Sequence, residues 1–324
     1  MDLEFKKKYS EIKKKAEFLA KNECCLICSV MNFKMCKSHN IPLFCLKKIS
    51  NDGYLYDANI LLDPSNAMNN GKKIGIKKIN TFQNICTKCD NEIFKSIETV
   101  EIFETEELWS QKNLNKLALK QTLHYYNRRL IELEQIKQTK LPNDHVLFGL
   151  DYWWYYDVIN IEKYLHEILD SKLNLKYIKV LDYITDKEVN FAFSAPVVLK
   201  YDYNGTIINQ TNLDANYNKQ FGFLHIGVFP FSEEKSRILM FFRKKNFEYQ
   251  SLISTISECK NMETKLKIVS DLILLQSDQI IFNESLLKKL KEIDFLFRID
   301  ANNVVDSHEY NRLRMLIKDI NLFS

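Results

Sequence analysis

The sequence predicts an α+β protein with a cysteine-rich N-terminal module, a long bridging helix and a C-terminal antiparallel sheet covered by helices. Three observations lead there. Seven of the eight cysteines fall within the first 90 residues. A long helical pattern without internal Gly or Pro follows. Beyond it, β-rich segments run consecutively at hairpin-length gaps before helical periodicity returns.

The 324 residues, 46% hydrophobic and 27% charged, can bury a sizeable core and suit about two domains. Seven Gly and five Pro leave no room for a long flexible linker. The opening stretch MDLEFKKKYSEIKKK has no apolar signal core and reads as a helix whose lysines form a solvated face. No segment approaches the roughly 18 apolar residues of a membrane span, so no membrane association is expected and a cytoplasmic location is. Residues 1–100 carry 17 Lys and no Arg against 11 acidic residues, a local excess over the whole-chain net charge of +4. Such a concentration suits a polyanion such as nucleic acid.

Cysteine spacing is the most specific signal. In a reducing compartment, clustered thiols point to metal binding before disulfides. Cys25 and Cys28 form one Cys-x2-Cys pair and Cys86 and Cys89 a second. Two such pairs close a four-thiolate structural zinc site. Cys24 or Cys36 could replace a member of the first pair. Cys45 and Cys259 read as ordinary buried thiols.

Between the pairs lies Ser38-His39-Asn40-Ile41-Pro42, and Asp90 follows the second pair in NICTKCDNEIFKSIE. Ile93, Phe94 and Ile97 share one face of a helix that has Cys86 and Cys89 on its first turn. Asp90 then sits near the positive end of that helix, where an anion or an anion-bound cation is favoured.

The stretches CLIC, SHNIP and CTKCD resemble the cysteine-containing branch of the HNH nucleases, with its ββα-metal, treble-clef-like fold. The resemblance spans roughly residues 24 to 98. It implies that His39 is a general base activating water against a phosphodiester, and that Asp90 is a ligand to a catalytic Mg²⁺ or Mn²⁺. Asn80 or Asn84 would orient the histidine through a side-chain amide. Ser38 stands where the family usually carries an acidic ligand, and Asp90 where it usually carries a last histidine. His39 also has two other readings, as a zinc ligand or as a residue bonding its own turn. Asp90 has one, as a charge stabilising its own helix.

The stretch from Asn51 to Asn80 contains Asp52-Gly53 and Asn70-Gly71 turn signals around β-like runs, an elaborated hairpin whose lysines 72, 73, 77 and 78 could line a phosphate-binding strand. Residues 105–138 form the long helix, with Arg128 and Arg129 read as a solvated pair. A boundary is expected at residues 139–145, around Pro142. The aromatic run 151–157 reads as core-forming, and 158–172 as a helix. Strands are expected in YIKVLDYIT, VNFAFSAPVVLKYDY, GTIINQT, FGFLHIGVFPF and SRILMFFRKK, with helices over about 247–292 and 305–319. His225, among apolar neighbours, reads as a satisfied core histidine.

The expected organisation is a module at 1–100, a connecting helix at 101–140 and an α+β domain at 141–324. Two functions fit. One is an HNH-like nuclease hydrolysing nucleic acid, a type that the family places in antiviral defence. The other is a non-catalytic zinc-stabilised module binding nucleic acid or protein; in the nuclease reading the C-terminal domain chooses the target or a protein partner.

Overall fold

The computed structural model describes residues 3–31, 34–58, 73–138, 145–203, 205–209, 221–276, 279–292, 314–315 and 317–323. Its helices are α1 (Leu3–Leu19), α2 (Leu43–Ile49), α3 (Thr87–Phe94), α4 (Glu101–Glu104), α5 (Gln111–Gln138), α6 (His145–Asp170), α7 (Gln250–Glu258), α8 (Met262–Gln276) and α9 (Glu284–Glu292). Its strands are β1 (Ser38–His39), β2 (Tyr54–Asp57), β3 (Ile74–Gly75), β4 (Thr81–Phe82), β5 (Tyr177–Thr185), β6 (Phe191–Val197), β7 (Leu224–Pro230), β8 (Ser236–Arg243) and β9 (Ile281–Phe282). The class is α+β, with an antiparallel sheet and helices. No helix among the described residues is long and apolar enough to cross a membrane.

Seven strands form one sheet in the order β3-β2-β9-β6-β7-β8-β5, and every pairing in it is antiparallel. β9 joins its two parts: Phe282 faces Tyr56 of β2 on one side and Phe191 of β6 on the other. The hairpin from the cysteine-rich region therefore extends the sheet built by residues 177–243. At the start of that hairpin Asp52 (φ 53°) and Gly53 (φ 75°) both adopt left-handed backbone, the geometry of a tight turn whose twist matches the strands. The second turn signal, Asn70-Gly71, and Lys72 lie outside the described residues.

The central strands are covered on both faces, so alternation partitions two cores rather than core and solvent. Phe193, Ala195, Ile226, Val228, Ile238, Met240 and Phe242 face α7, α8 and α9. Ala192, Phe229, Leu239 and Phe241 face the cysteine-rich region, α5 and α6. At β7 this second face admits Gly227, where an added Cβ would lie 2.3 Å from the Phe229 ring.

α5 is the axis of the second core. Leu114 through Tyr126 are all buried, polar residues included, because the helix lies between the sheet, α6 and the cysteine-rich module. Its polar groups are consequently partnered. Gln121 donates to Ser194 Oγ (3.1 Å) and to the Ile226 carbonyl (2.9 Å), so its Oε1 is left to accept from His225 Nδ1 at 2.7 Å. His225 Nε2 must then accept from the Tyr164 hydroxyl (2.7 Å), which in turn accepts from Tyr177 (3.1 Å). Burial drives His225 down to about 3 and keeps it neutral.

Three expectations shift. The helix read over 158–172 begins at His145, and the aromatic run lies on it; Tyr155 of that run is exposed rather than in the core. Arg128 and Arg129 are not solvated: both bind Glu132, and Arg129 also reaches Asp157 across 2.9 Å. α5 brings these groups against α6, a neighbour that periodicity alone does not reveal. The expected helix at 305–319 lies largely outside the described residues, as do residues 139–144 of the expected boundary.

Candidate metal centre

Two short turns carry the thiols. After Cys25 the chain reverses through Ser29, whose φ of 56° is left-handed and whose N–H donates to the Cys25 carbonyl at 2.8 Å. The second pair opens α3. Cys86 is extended (φ −85°, ψ 158°) and caps the helix, its Sγ accepting from Cys89 N–H at 3.5 Å. The Cys86 N–H donates to Cys25 Sγ at 3.3 Å, which ties the two turns together. Such N–H donors offset negative charge on thiolate sulfur.

The sulfurs of Cys25, Cys28, Cys86 and Cys89 all lie within 4.8 Å of one another. A tetrahedral site with metal–sulfur bonds of about 2.3 Å has sulfur–sulfur edges of roughly 3.8 Å. The Cys28–Cys86 separation is 3.9 Å. The four thiols can thus hold one metal ion such as zinc, with Cys28 exposed and the other three buried. Burial and the neighbouring thiols push Cys89 well above its ordinary range; a bound cation reverses that by deprotonating the thiol. Cys24 and Cys36 stand outside this set, and the Cys36 thiol donates to the Ile85 carbonyl (3.4 Å).

Beside the thiols, β1 and β4 pair antiparallel with Ser38 opposite Phe82 and His39 opposite Thr81, and α3 follows. This strand–strand–helix unit brings Ser38, His39 and Asp90 together. The Ser38 hydroxyl donates to Asp90 Oδ1 at 2.7 Å. His39 is half-buried, and its Nε2 meets the Ile76 carbonyl at 2.9 Å. A carbonyl only accepts, so Nε2 carries the proton and Nδ1 keeps its lone pair. His39 is held below its ordinary value, first by burial and further by the charge of Lys120, while the Ile76 bond and Asp90 act the other way.

Asn80 does not reach the imidazole. With φ at 54°, its Oδ1 accepts from Ile41 N–H (3.1 Å) and its carbonyl from Asn40 N–H (3.0 Å). It therefore fixes the backbone just after His39, and the orienting contact on the ring is Ile76. Asn84 donates to the Leu123 carbonyl at 2.8 Å, anchoring the module to α5. Among the hairpin lysines, Lys73 pairs with Glu284 at 3.2 Å, while Lys77 and Lys78 are exposed beside Ile76.

Two members of the cluster, the Ile76 carbonyl and Lys120, escaped the sequence reading. Lys120, buried on α5, pairs with Glu98, and its ammonium lies 5.1 Å from the Phe94 ring centroid. Burial lowers it to about 8, against the opposing pull of Asp90 and Cys36. The available signal was Lys120 itself, a charge on the helix stripe that also carries Leu117 and Leu123. No family model, curated protein or solved structure matches this chain.

Proposed function

We propose that residues 24–98 form a zinc-stabilised, HNH-like nuclease unit in which His39 activates water against a phosphodiester of nucleic acid. The observation that carries this reading is the His39 Nε2 contact with Ile76, which leaves Nδ1 as the base one residue from the Ser38–Asp90 pair. Zinc is the ion assigned to Cys25, Cys28, Cys86 and Cys89, since four thiolates in a closed tetrahedral set favour it.

The chemistry asks little more of these residues. A water gives its proton to His39 Nδ1, its oxygen bonds to phosphorus, and the bond to the leaving sugar oxygen breaks as that oxygen takes a proton from solvent. Burial keeps the imidazole neutral and ready to accept. Asn80 holds the turn that presents it. A divalent ion such as Mg²⁺ or Mn²⁺, for which Asp90 would be the carboxylate ligand, supplies charge neutralisation at the phosphate. Lys77 and Lys78 offer the substrate an exposed basic edge.

The test is cleavage of plasmid and single-stranded substrates with Mg²⁺ or Mn²⁺ by wild type, His39→Ala and Asp90→Ala, each confirmed to retain zinc. Cutting by wild type alone supports the proposal. Equal background from all three favours a non-catalytic, zinc-stabilised binding module. A specific observation speaks for that second reading: Asp90 already has the Ser38 hydroxyl as a donor and lies within electrostatic reach of the Lys120 ammonium.

A further inference from the structure

At the sheet edge farthest from β3, residues at the ends of β5 and β8 form an open pocket of about 300 Å³ lined by Leu175, Lys176, Arg243, Lys244, Lys245 and Phe247. Six inter-strand steps separate β5 from β3, roughly 29 Å at about 4.8 Å per step. The pocket lining shares no residue with the His39 site.

Every charge in its lining is positive. Glu167 binds both Arg243 and Lys245 and offsets part of that charge. Arg243 is further fixed by the face of Tyr164, 5.3 Å from guanidinium to ring centroid. Lys176 and Lys244 are exposed and have no ion pair among the described residues; the Lys244 N–H donates to the Lys176 carbonyl at 2.8 Å, which sets the two side by side. Phe247 is 69% exposed although Tyr249, two residues on, is fully buried. The adjacent carboxyl of Glu248 lies against Gly222, where an added Cβ would meet it, and takes no part in the lining.

An aromatic face open to water costs apolar exposure that nothing in the fold offsets. Beside uncompensated cations it forms the pairing that receives a nucleotide, whose base stacks on the ring while its phosphate meets the cations. We propose that this pocket binds a nucleotide phosphate with its base on Phe247, either as a free nucleotide or as one unit of a single strand. The proposal stands without the nuclease reading, because none of its residues belongs to the cysteine-rich module.

Binding of a labelled single-stranded oligothymidylate to the full chain, followed by fluorescence anisotropy at several salt concentrations, tests it, with AMP titrated separately by calorimetry. The variants are Phe247→Ala and the double Lys176→Gln/Lys244→Gln, all exposed positions whose replacement leaves the core intact. We expect each to weaken oligonucleotide binding about tenfold, and the double variant to flatten the salt dependence by roughly 1.4 in log–log slope. AMP binding weakened by the same variants assigns the pocket to free nucleotides as well; oligonucleotide binding without AMP binding assigns it to strands. No binding by wild type, or equal binding by all three proteins, overturns the proposal. His39→Ala should bind normally, so absence of cutting by the wild type, with binding kept, counts only against the nuclease reading.

Discussion

The hydroxyl of Ser38 donates to the carboxylate of Asp90 across 2.7 Å, joining residues 52 positions apart in the chain. The contact exists because β1 and β4 pair and α3 begins at the second thiol turn. Its chemistry depends on the thiols being held, since both segments that meet here are anchored by them.

Metal removal should therefore act on the whole module. One zinc per chain is expected in purified protein, lost in Cys25→Ser and Cys89→Ser and kept in Cys24→Ser and Cys259→Ser. Chelation should lower the melting temperature, because binding free energy at such sites is folding free energy. Metal analysis with thermal melts checks this; an unchanged melt after metal loss contradicts it.

Asn80→Ala should destabilise by about 1–3 kcal/mol, since it leaves the buried Ile41 N–H without its acceptor and puts a Cβ-bearing residue that lacks the amide at a left-handed φ. Asn80→Gly removes the same bond but relieves the backbone, so it should cost less. Urea unfolding of the two variants gives the comparison.

Acid should destabilise the fold below the ordinary histidine range. His124 and His225 are both buried and lowered to about 3, so the unfolded chain binds protons that the folded chain refuses. Their stabilising contribution is complete above about pH 6.5 and is lost as pH falls from there towards 3, at up to about 1.4 kcal/mol per pH unit for each. His225→Gln should reduce the slope of stability against pH, measured by urea unfolding between neutral and acidic buffers.

Lys120→Met removes the cation that helps hold His39 low. In the proposed mechanism neutral His39 is the working form, so activity should rise with pH through its titration, and the variant should shift that limb to higher pH. A pH–rate profile that does not move would mean that Lys120 acts only through packing and its Glu98 pair.

What the sequence made legible follows from local chemistry. The four thiols share two short spacings and a metal demands all of them, so their pairing could be inferred. β5 occupies Tyr177–Thr185, the full predicted run, because its β-branched and aromatic residues are bounded by polar turns. The Asp52-Gly53 turn is visible for the same reason. β9 is not: two residues, Ile281 and Phe282, gain strand character only by filling the slot between β2 and β6. Lys120 and Ile76 were missed because one is buried by tertiary contacts and the other acts through its backbone carbonyl, which has no sequence signature. The buried chain from Gln121 through His225 to Tyr177 likewise depends on α5 crossing the sheet.

The proposed role of Asp90 as a metal ligand is tested by Mn²⁺ titration followed by electron paramagnetic resonance, comparing wild type with Asp90→Ala when both hold their zinc. One Mn²⁺ is expected at the Ser38–His39–Asp90 cluster of wild type and none there in the variant. Absence of Mn²⁺ binding by wild type, or equal binding by both proteins, would contradict it.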